Sequence, residues 1–384
     1  MKDYRQEIEG YEQIRREMET LEKYGMGFTA MRGNVARTID SLHPSRLRLT
    51  VSEIRQETQT AKTIRLVSES GMLPSFQAGQ YITLFVRIGE TRTSRPYSLS
   101  SAPHQRGFYD ITVRRAEPGF VSPFLLDKLQ VGDAIESSSP AGSFIHNPLF
   151  HGDRLVFLAG GSGITPFMSM IREATDRGLH RSIHLVYGSR SMDDIIFLDE
   201  LEDRAARHPR FRVTHVISEP APWYTGRCGF ISKELLEDIL DDIPSLTFYL
   251  CGPGVMSAHC LRELHDLGVP RRKIRTEMFG PPAHVAADPD WPPHVDPGAV
   301  FRVSLGNGPT IPAVAGEPLM VSLEKAGLTV ASSCRSGECS LCRTRLVSGT
   351  VFHPRSAKLR KSDIRFGYIH PCVAYPLEDL EIEI

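Results

Sequence analysis

Three of the seven cysteines lie within nine positions, in the segment SSCRSGECSLC at residues 332–342. Their spacing is Cys334-x4-Cys339-x2-Cys342, and a fourth cysteine, Cys372, follows after a gap of 29 residues. A fold that uses these thiols together must bring the loop near residue 340 against the segment near residue 372. The uneven distribution of the cysteines does not predict a disulfide framework, and clustered thiols of this kind favour a metal site or catalysis.

The length and composition predict a multidomain globular protein. At ~100–200 residues per domain, the 384 residues suggest two to four domains, and the 41% hydrophobic and 24% charged content is typical of globular chains. The formal net charge of −1 gives no reason to expect nucleic acid or a membrane surface as a partner. We see no signal-peptide core and no run approaching ~18 apolar residues, so we expect a cytoplasmic protein without a membrane span.

The hydrophobic period changes along the chain and predicts five segments. Residues 1–45 are expected to be an N-terminal helical extension, and the short strands of residues 46–150 predict an antiparallel β-barrel with one helix at VSPFLLDKL. Strands alternate with helices over residues 151–280, which predicts a parallel α/β sheet. Residues 281–300 hold six prolines and predict a stiff linker, and residues 301–384 form a last, mixed α+β unit.

An apolar stripe near the N-terminus recurs at intervals of three or four residues, which predicts an amphipathic helix. The stripe consists of Tyr4, Ile8, Tyr11, Ile14, Met18 and Leu21. Two interpretations stay open at this point: the helix packs on its own domain, or it docks a second copy or a partner.

The cysteine spacing is the ligand pattern of plant-type [2Fe–2S] ferredoxins, and residues 301–384 resemble that family over nearly their whole length. Further matching pieces are LMVSLEKAGL, TRLVSGTV and GYIHPC. The resemblance implies a β-grasp fold and four cluster ligands, Cys334, Cys339, Cys342 and Cys372. Gly337 and the neighbouring serines let backbone N–H groups approach the sulfurs. The alternative is a structural zinc site, although zinc loops usually pair their cysteines as C-x2–4-C.

The segment RPYSLSS at residues 95–101 resembles the flavin-binding R-x-Y-S-x-x-S of the ferredoxin–NADP reductase family. Alternate residues of a strand share a face, so Arg95 and Tyr97 can meet one ligand. The resemblance implies that Tyr97 packs along the flavin, that Ser98 bonds near N5 and that Arg95 binds phosphate. A second segment, PGFVSPFLLD, resembles the turn whose helix start receives the flavin phosphates. The implied flavin-binding residues are Arg95, Pro96, Tyr97, Ser98, Val113, Gly119, Val121 and Ser122.

Two further segments, AGGSGITP at 159–166 and YLCGPGVM at 249–256, resemble the nicotinamide-binding motifs of the same family. The first ends a predicted parallel strand and opens a helix, where glycines let the backbone approach a pyrophosphate. The implied nicotinamide-binding residues are Gly160, Gly161, Gly163, Thr165, Pro166, Cys251, Gly252, Pro253 and Met256.

The resemblance also implies four catalytic residues, Ser98, Cys251, Glu277 and Phe279. Cys251 would lie against the nicotinamide ring, with a plain buried core cysteine as the alternative. Phe279 would cover the flavin face and yield it to nicotinamide, and Glu277 would lie near N5. Cys228 and Cys260 are expected to be plain thiols.

The choice of nucleotide depends on the ends of two predicted strands. VISEP places Ser218 and Glu219 where NADPH users often have arginine, and a carboxylate suits a free ribose diol and repels a phosphate. Arg190, in YGSRS, argues in the other direction. We predict NADH, with NADPH as the alternative. The segment VRRAEPGFVSPFLLDKLQVGD resembles FAD-binding members, so FAD is predicted and FMN is its alternative.

The three sites together predict an electron path from NAD(P)H through flavin and cluster to a protein acceptor. Nicotinamide gives two electrons as hydride, a [2Fe–2S] cluster accepts one at a time, and flavin chemistry joins the two. Residues 46–384 resemble the reductases that serve oxygenases, in the phthalate dioxygenase reductase arrangement with the ferredoxin last. We therefore expect an NAD(P)H-dependent oxidoreductase whose partner is an acceptor such as a terminal oxygenase.

Two alternatives to this function stay open. The chain could be the reductase or interaction subunit of a larger redox complex, such as a corrinoid-activating or P450 system. It could also be a plain flavin reductase with a non-redox C-terminal module. A basic stretch, HPRSAKLRKSDIR, could dock an acidic acceptor or be an ordinary solvated loop. Its basic residues are Arg355, Lys358, Arg360, Lys361 and Arg365.

Overall fold

A computed structural model describes residues 9–25, 33–69, 71, 73–282, 284–306, 308–355, 357 and 359–384. The chain divides into two compact units, Met1–Ser45 and Arg46–Ile384. The described part of the first unit contains helices α1 (Tyr11–Lys23) and α2 (Asn34–Leu42).

Helix α1 carries most of the predicted apolar stripe. Tyr4 and Ile8 lie outside the described residues, and Ile14, Met18 and Leu21 are 54%, 39% and 42% exposed. No residue of α1, which is described over its whole length, is buried.

The first sheet of the second unit is the antiparallel barrel that the strand pattern predicts. Its strands are β1 (Leu47–Thr58), β2 (Ala61–Ser68), β3 (Tyr81–Ile88), β4 (Thr91–Ser98), β5 (Tyr109–Arg114) and β6 (Ala134–Ser137). The strand order is β4-β3-β6-β1-β2-β5, and an antiparallel bridge between Leu99 and Ile111 joins the end of β4 to β5 and closes the barrel. Helix α3 (Val121–Asp127) packs Val121 and Leu125 into the barrel core.

The second sheet is parallel throughout, as the alternation of strands and helices predicts. After the short helix α4 (Pro148–His151), its elements are β7 (Arg154–Gly160), α5 (Ile164–Asp176), β8 (Ser182–Ser189), α6 (Leu198–Arg207), β9 (Phe211–Ile217), β10 (Arg227–Cys228), α7 (Lys233–Ile239), β11 (Thr247–Cys251), α8 (Gly254–Asp266) and β12 (Ile274–Glu277). The order is β10-β9-β8-β7-β11-β12. The chain reverses direction across the sheet between β7 and β11, and such switch points open a crevice at the carboxyl ends of the strands.

The C-terminal part is a small mixed sheet with one helix packed on it, which confirms the β-grasp prediction. Its elements are β13 (Val300–Ser304), β14 (Thr310–Val314), α9 (Leu319–Lys325), β15 (Thr344–Ser348), β16 (Val351–Phe352), α10 (Lys361–Arg365), β17 (Tyr368–Ile369), β18 (Tyr375–Pro376) and β19 (Leu380–Glu383). The main sheet has the order β14-β13-β19-β15-β17, in which the β13–β19 pair is parallel, and β16 pairs with β18. Leu319 and Leu323 of α9 fill the core beneath it.

The proline-rich segment 281–300 is folded against this last sheet. Trp291 is 8% exposed, and its ring meets those of Phe352 and Tyr375 at centroid distances of 5.2 and 6.4 Å. Val285 and Val295 are buried in the same cluster. Among the residues described, no helix is long and apolar enough to cross a lipid bilayer.

Candidate functional site

Strand β4 holds two polar groups that are suited to a bound ligand. Ser98 is 5% exposed, and its Oγ is buried without a hydrogen-bond partner among the described residues. The half-buried Arg95 donates from Nη1 to Thr93 Oγ1 and to the Ser94 carbonyl, both at 2.7 Å. Burial, followed by the nearby positive charge of Arg335, lowers the pKa of Arg95 to about 10. The unpartnered Ser98 hydroxyl fits the edge of a flavin ring, and the half-buried Arg95 guanidinium fits a flavin phosphate.

The remaining predicted flavin residues of β4 and β5 differ in their accessibility. Pro96 and Tyr97 are half-buried, and burial raises the pKa of the Tyr97 hydroxyl above its ordinary value. Val113 is fully buried, and its side chain packs in the barrel core. A ligand could therefore reach Val113 only through its backbone.

The predicted phosphate turn precedes α3 and depends on a glycine. A Cβ at Gly119 would lie 2.2 Å from the Ala116 carbonyl oxygen, so a larger residue would force the turn open. Ser122 Oγ accepts from the Ala116 amide at 2.9 Å and closes the same turn from the helix side. Val121 is buried, at 2% exposure, where α3 begins. The turn is therefore a fixed loop beside β5.

The two predicted nicotinamide motifs meet at the switch point of the parallel sheet. Ala159 of β7 pairs with Cys251 of β11, so both loops leave neighbouring strands at the same edge. A Cβ at Gly163 would lie 2.1 Å from the Cys251 carbonyl oxygen, and one at Gly160 would lie 2.1 Å from Met256 Sδ. The glycines thus permit the loops to touch each other, in addition to any role at a pyrophosphate.

Other residues of these motifs shape the start of α5 and the facing loop. Thr165 is 3% exposed, and its hydroxyl donates to the Ser162 carbonyl at 2.8 Å. Pro166 lies in the first turn of α5, where its missing N–H costs no helical hydrogen bond. Gly161 adopts a φ of +53° between β7 and α5, and Gly252 and Pro253 open the loop to α8.

Three of the predicted catalytic residues lie together at the carboxyl end of the parallel sheet. Cys251 of β11 pairs with Glu277 of β12, and the two are 2% and 7% exposed. Burial, and secondly the Glu277 charge, raise the pKa of the Cys251 thiol well above its ordinary value, so it stays neutral. Phe279 follows at 39% exposure, and its ring meets that of Tyr81 edge-on at 6.1 Å. Since Tyr81 of β3 pairs with Ser98 of β4, the fourth predicted residue belongs to the same junction.

The residues considered for nucleotide choice lie at adjacent strand ends. The Glu219 amide donates to the Arg190 carbonyl at 2.8 Å, beyond β9 and β8. The Arg190 side chain is 64% exposed, and its Nε lies 3.5 Å from Asp194 Oδ2. The same carboxylate oxygen accepts from Arg114 Nη2 at 2.5 Å. Arg190 therefore faces a carboxylate that is already shared with a second arginine.

The four predicted ligand cysteines converge, as their spacing requires. Cys334, Cys342 and Cys372 are buried and Cys339 is half-buried. Cys342 and Cys372 Sγ lie 3.4 Å apart, and Cys334 Sγ accepts from the Ser336 and Cys339 amides at 3.4 Å each. The Cys339 side chain, followed by Ser336, lowers the pKa of Cys334. These contacts stabilise a thiolate in the loop.

The arrangement of the sulfurs fits two metals better than one. Two thiolates on one tetrahedral metal, at bonds of ~2.3 Å, stand roughly 3.8 Å apart, close to the Cys342–Cys372 separation. No group of three or more His, Cys, Asp or Glu side chains in the described chain could hold a single metal ion. The cysteines instead form the pairs Cys334–Cys339 and Cys342–Cys372, which disfavours the zinc alternative.

The loop at residues 332–342, which we call the cluster loop, packs directly on the flavin strand. Ser332 Oγ lies 2.8 Å from Ser94 Oγ, and the Arg335 guanidinium is 3.2 Å from Thr93 Oγ1. Arg335 is also ion-paired with Glu324 of α9, whose Oε2 accepts from Thr93 at 3.1 Å. All of these side chains are buried. One buried polar network thus joins the barrel to the cluster loop.

Tyr81 connects this network to the nicotinamide end. It is 5% exposed, its hydroxyl lies 3.3 Å from Ser333 Oγ, and its ring contacts Phe279. Burial, and then the charges of the cluster cysteines and Glu277, raise the pKa of Tyr81. Tyr81 therefore stands where the flavin strand, the end of the parallel sheet and the cluster loop meet.

Sequence reasoning missed Tyr81, Arg335 and Glu324. A signal for Glu324 was present, because it follows Leu323 and lies four positions after Met320, on the apolar side of α9. A carboxylate on that side requires a buried partner. The other contacts join segments about 240 residues apart, and no local pattern encodes them.

Three family models match the chain in the order of the three folded parts. They are the oxidoreductase FAD-binding domain at residues 49–146, the oxidoreductase NAD-binding domain at 157–261, and the 2Fe-2S iron-sulfur cluster binding domain at 303–377. These matches confirm FAD, NADH and a [2Fe–2S] cluster as the cofactors.

Proteins of known function resemble the chain over most of its length. The glycine betaine monooxygenase reductase subunit of Chromohalobacter salexigens is 30% identical, over 86% of this chain and 93% of that protein. The ferredoxin reductase component of 3-ketosteroid-9-alpha-monooxygenase from Rhodococcus rhodochrous is 31% identical over 90% and 99%. NADH oxidoreductase HCR of Escherichia coli is 30% identical over 87% and 96%.

The fold is also that of a solved reductase. Phthalate dioxygenase reductase, described as a modular structure for electron transfer from pyridine nucleotides to [2Fe-2S], superposes with a TM-score of 0.65. It is 27% identical, and the match covers 88% of this chain and 98% of that one. The chain therefore belongs to the family of NADH-dependent oxidoreductases that carry FAD-binding, NAD-binding and [2Fe–2S] domains on one polypeptide and act in electron transfer.

Proposed function

We propose that this reductase delivers electrons from its cluster to a terminal oxygenase. The relatives at 30–31% identity include reductase components of two monooxygenase systems, and they align with 86–90% of this chain. These relatives carry the choice of acceptor, and the contact of Ser332 with Ser94 carries the path inside the chain, because it joins the cluster loop to the flavin strand. A short path therefore connects the two binding sites, as electron transfer requires.

The chain's own residues hold and orient the cofactors. When bound, FAD supplies the conversion between hydride and single electrons, and the cluster supplies one-electron storage. Arg95 would bind a flavin phosphate with its donor fork, and the Ser98 hydroxyl would donate a hydrogen bond to the ring edge near N5. Tyr97 and Pro96 pack beside the ring system. Gly119 and its turn bring the amides at the start of α3 to the phosphates, and Val113 contributes only its backbone.

Nicotinamide is positioned by the crevice between β7 and β11. The loop from Gly160 to Thr165 would receive the pyrophosphate at the N-terminal end of α5, a 13-residue helix whose dipole favours an anion. Cys251 would present a neutral thiol to the nicotinamide ring, because burial and then the Glu277 charge raise its pKa. Phe279 would cover the flavin face and yield it to nicotinamide, and Glu277, which pairs with Cys251, would lie near N5.

The cluster is held by Cys334 and Cys339 on one iron and by Cys342 and Cys372 on the other. The 3.4 Å separation of the Cys342 and Cys372 sulfurs and the hydrogen bond from the Cys339 amide to Cys334 Sγ support this pairing. Glu219 selects NADH, because its carboxylate suits the ribose diol, and Arg190 already faces Asp194.

The proposal also includes domain boundaries at residues 45, 150, 280 and 300. It further includes a cytoplasmic location. Each of the three family matches falls within one predicted unit, which supports the boundaries.

The identity of the acceptor is tested by isolating proteins that bind this chain and then measuring their NADH-dependent activity. The tagged protein is used to isolate partners from its source cells at low ionic strength, and the captured pair is supplied with NADH and candidate substrates. We expect a captured oxygenase whose O2 consumption requires both NADH and this chain. A captured acceptor that is reduced without O2 consumption or hydroxylated product would contradict the proposal.

A further inference from the structure

The cluster loop has two faces with opposite surroundings. Ser332, Cys334 and Arg335 are buried on the side of the barrel. Leu341, between Cys339 and Cys342, is 55% exposed, and Cys339 is the least buried of the four ligands. Given the proposed function, on which this inference rests, electrons enter from the covered face. An external acceptor therefore approaches the face that carries Leu341.

A second segment lies beside Leu341 and also exposes apolar side chains. Arg343 connects the two segments, since its Nη1 lies 3.9 Å from Asp363 Oδ1 of α10 and its guanidinium carbon lies 5.2 Å from the Tyr368 ring centre. Ile364 and Phe366, adjacent to these contacts, are 60% and 67% exposed. Large exposed apolar side chains that cluster in this way mark protein-interaction surfaces.

The same surface is basic, although the whole chain has a formal net charge of −1. Arg343 is exposed, and so are Arg360, Lys361 and Arg365 on α10 and just before it. In segments 340–348 and 359–369, which are fully described, the acidic residue is Asp363, and it is buried against His370. A basic field around an apolar centre complements an acidic partner and steers it towards the loop.

The neighbouring basic residues do not all belong to this surface. Arg355 bonds both carboxylate oxygens of Asp290, and its amide donates to Asp288, so its charge is neutralised within the fold. Lys358 lies outside the described residues. The basic field therefore concentrates on α10 and Arg343.

We propose that Leu341, Arg343, Ile364, Arg365 and Phe366 form the docking surface for an acidic protein that accepts single electrons. The apolar side chains exclude water at the centre of the contact. The arginines pair with carboxylates at its rim and set the orientation. Cys339, the least buried of the four ligands, then lies on the side of the acceptor.

The test uses the holoprotein and two haem proteins of opposite charge as probes, acidic cytochrome b5 and basic cytochrome c. The variants are Leu341→Gln, Arg343→Gln and Arg365→Glu. Arg272→Glu is the matched control, because Arg272 is exposed and precedes β12, on the parallel-sheet part of the chain. Two readouts are measured: equilibrium binding of oxidised cytochrome b5 without NADH, and NADH-driven reduction rates, with ferricyanide reduction as the flavin-level reference.

We expect Arg365→Glu to weaken cytochrome b5 binding and slow its reduction about fivefold at low ionic strength. The difference between Arg365→Glu and the unmodified protein in cytochrome b5 binding and reduction should vanish near ~0.5 M salt, where charges are screened. Leu341→Gln should weaken binding at every salt concentration. Cytochrome c should react faster with Arg365→Glu, while ferricyanide rates and the Arg272→Glu control stay unchanged.

Two results would overturn the inference. If cytochrome b5 binds and reacts equally well with all variants, the docking surface is wrong and the proposed function stands. If the unmodified protein reduces ferricyanide but neither haem protein, the cluster is not the exit, and the proposed function fails with the inference.

Discussion

Glu324 and Arg335 form a buried ion pair at the contact between the cluster loop and β4, and replacing Glu324 by Gln should uncouple the two redox sites. Their side chains are 11% and 6% exposed, and both contact Thr93 of the barrel. Glutamine has nearly the same shape as glutamate, so the change removes charge and little volume. The consequence is an unpaired guanidinium beneath the barrel.

The size of the effect follows from burial. Removing one member of a buried ion pair costs about 3–5 kcal/mol, and the remaining amide oxygen places this case near the lower end, at about 3 kcal/mol. The penalty applies only while β4 covers Arg335, because water would solvate the guanidinium in an undocked loop. The docking equilibrium should therefore weaken about 150-fold.

Rapid mixing with NADH under anaerobic conditions measures the result. Flavin reduction should keep its rate, because Ser98, Cys251 and Phe279 are untouched. Cluster reduction, followed by its visible absorbance, should be at least ~10-fold slower, since electrons pass only from the docked arrangement. In steady state, cytochrome c reduction should fall, and ferricyanide reduction should not change.

Glu317→Gln is the matched control. Glu317 pairs with Lys325 at 2.7 Å on the surface of the same domain, and the two side chains are 38% and 60% exposed. Such a pair contributes up to ~1 kcal/mol, so this variant should behave like the unmodified protein. Equal cluster reduction in Glu324→Gln and Glu317→Gln would refute the role given to the buried pair.

Four further outcomes are expected. Cys372→Ser should abolish NADH-driven cytochrome c reduction and spare ferricyanide reduction; retention of both activities would show that the electron order is wrong. Ser98→Ala should slow flavin reduction by NADH about 10-fold or more with FAD still bound, because a hydrogen bond made to the reacting ring is lost; an unchanged rate argues against its contact with the ring. Glu219→Ser should raise kcat/KM for NADPH relative to NADH by about tenfold, and an unchanged ratio would exclude Glu219 as the selector. Burial, and then the charge of Arg212, lower the pKa of His184 from 6.5 to about 4. The neutral ring therefore stabilises the fold above pH 6.5, and this stability is lost as the pH falls towards 4. Urea unfolding between pH 7 and pH 4 should show a smaller loss of unfolding free energy for His184→Gln than for the unmodified protein.

The sequence alone predicts those parts of the site that depend on short, contiguous motifs. The four cysteines follow a spacing set by iron chemistry, and the motifs at Gly160 and Cys251 end strands that alternate with helices, which predicts a parallel sheet. Strand β4 could be predicted because the R-x-Y-S pattern lies within a series of short strands. Each of these signals lies within a few residues of the group it describes.

The contacts between the folded parts could not be predicted in this way. Ser94 and Ser332 are unremarkable alone, and their bond depends on how the cluster loop approaches the barrel. Proline content predicted a stiff segment at 281–300, but only the structure shows Trp291 packed against Tyr375. Such contacts depend on how the surfaces of distant segments of the second unit fit together. The hydrophobic pattern within one segment does not encode that fit.

The central claim is that NADH reduces a [2Fe–2S] cluster held by Cys334, Cys339, Cys342 and Cys372 through the flavin in the same chain. Electron paramagnetic resonance of the purified protein, frozen after anaerobic addition of NADH, tests it most directly. We predict a [2Fe–2S] signal in the reduced protein, equal amounts of iron and acid-labile sulfide, and loss of the signal in Cys372→Ser. A protein that contains zinc or no metal, or whose flavin is reduced by NADH without any iron–sulfur signal, would contradict the account.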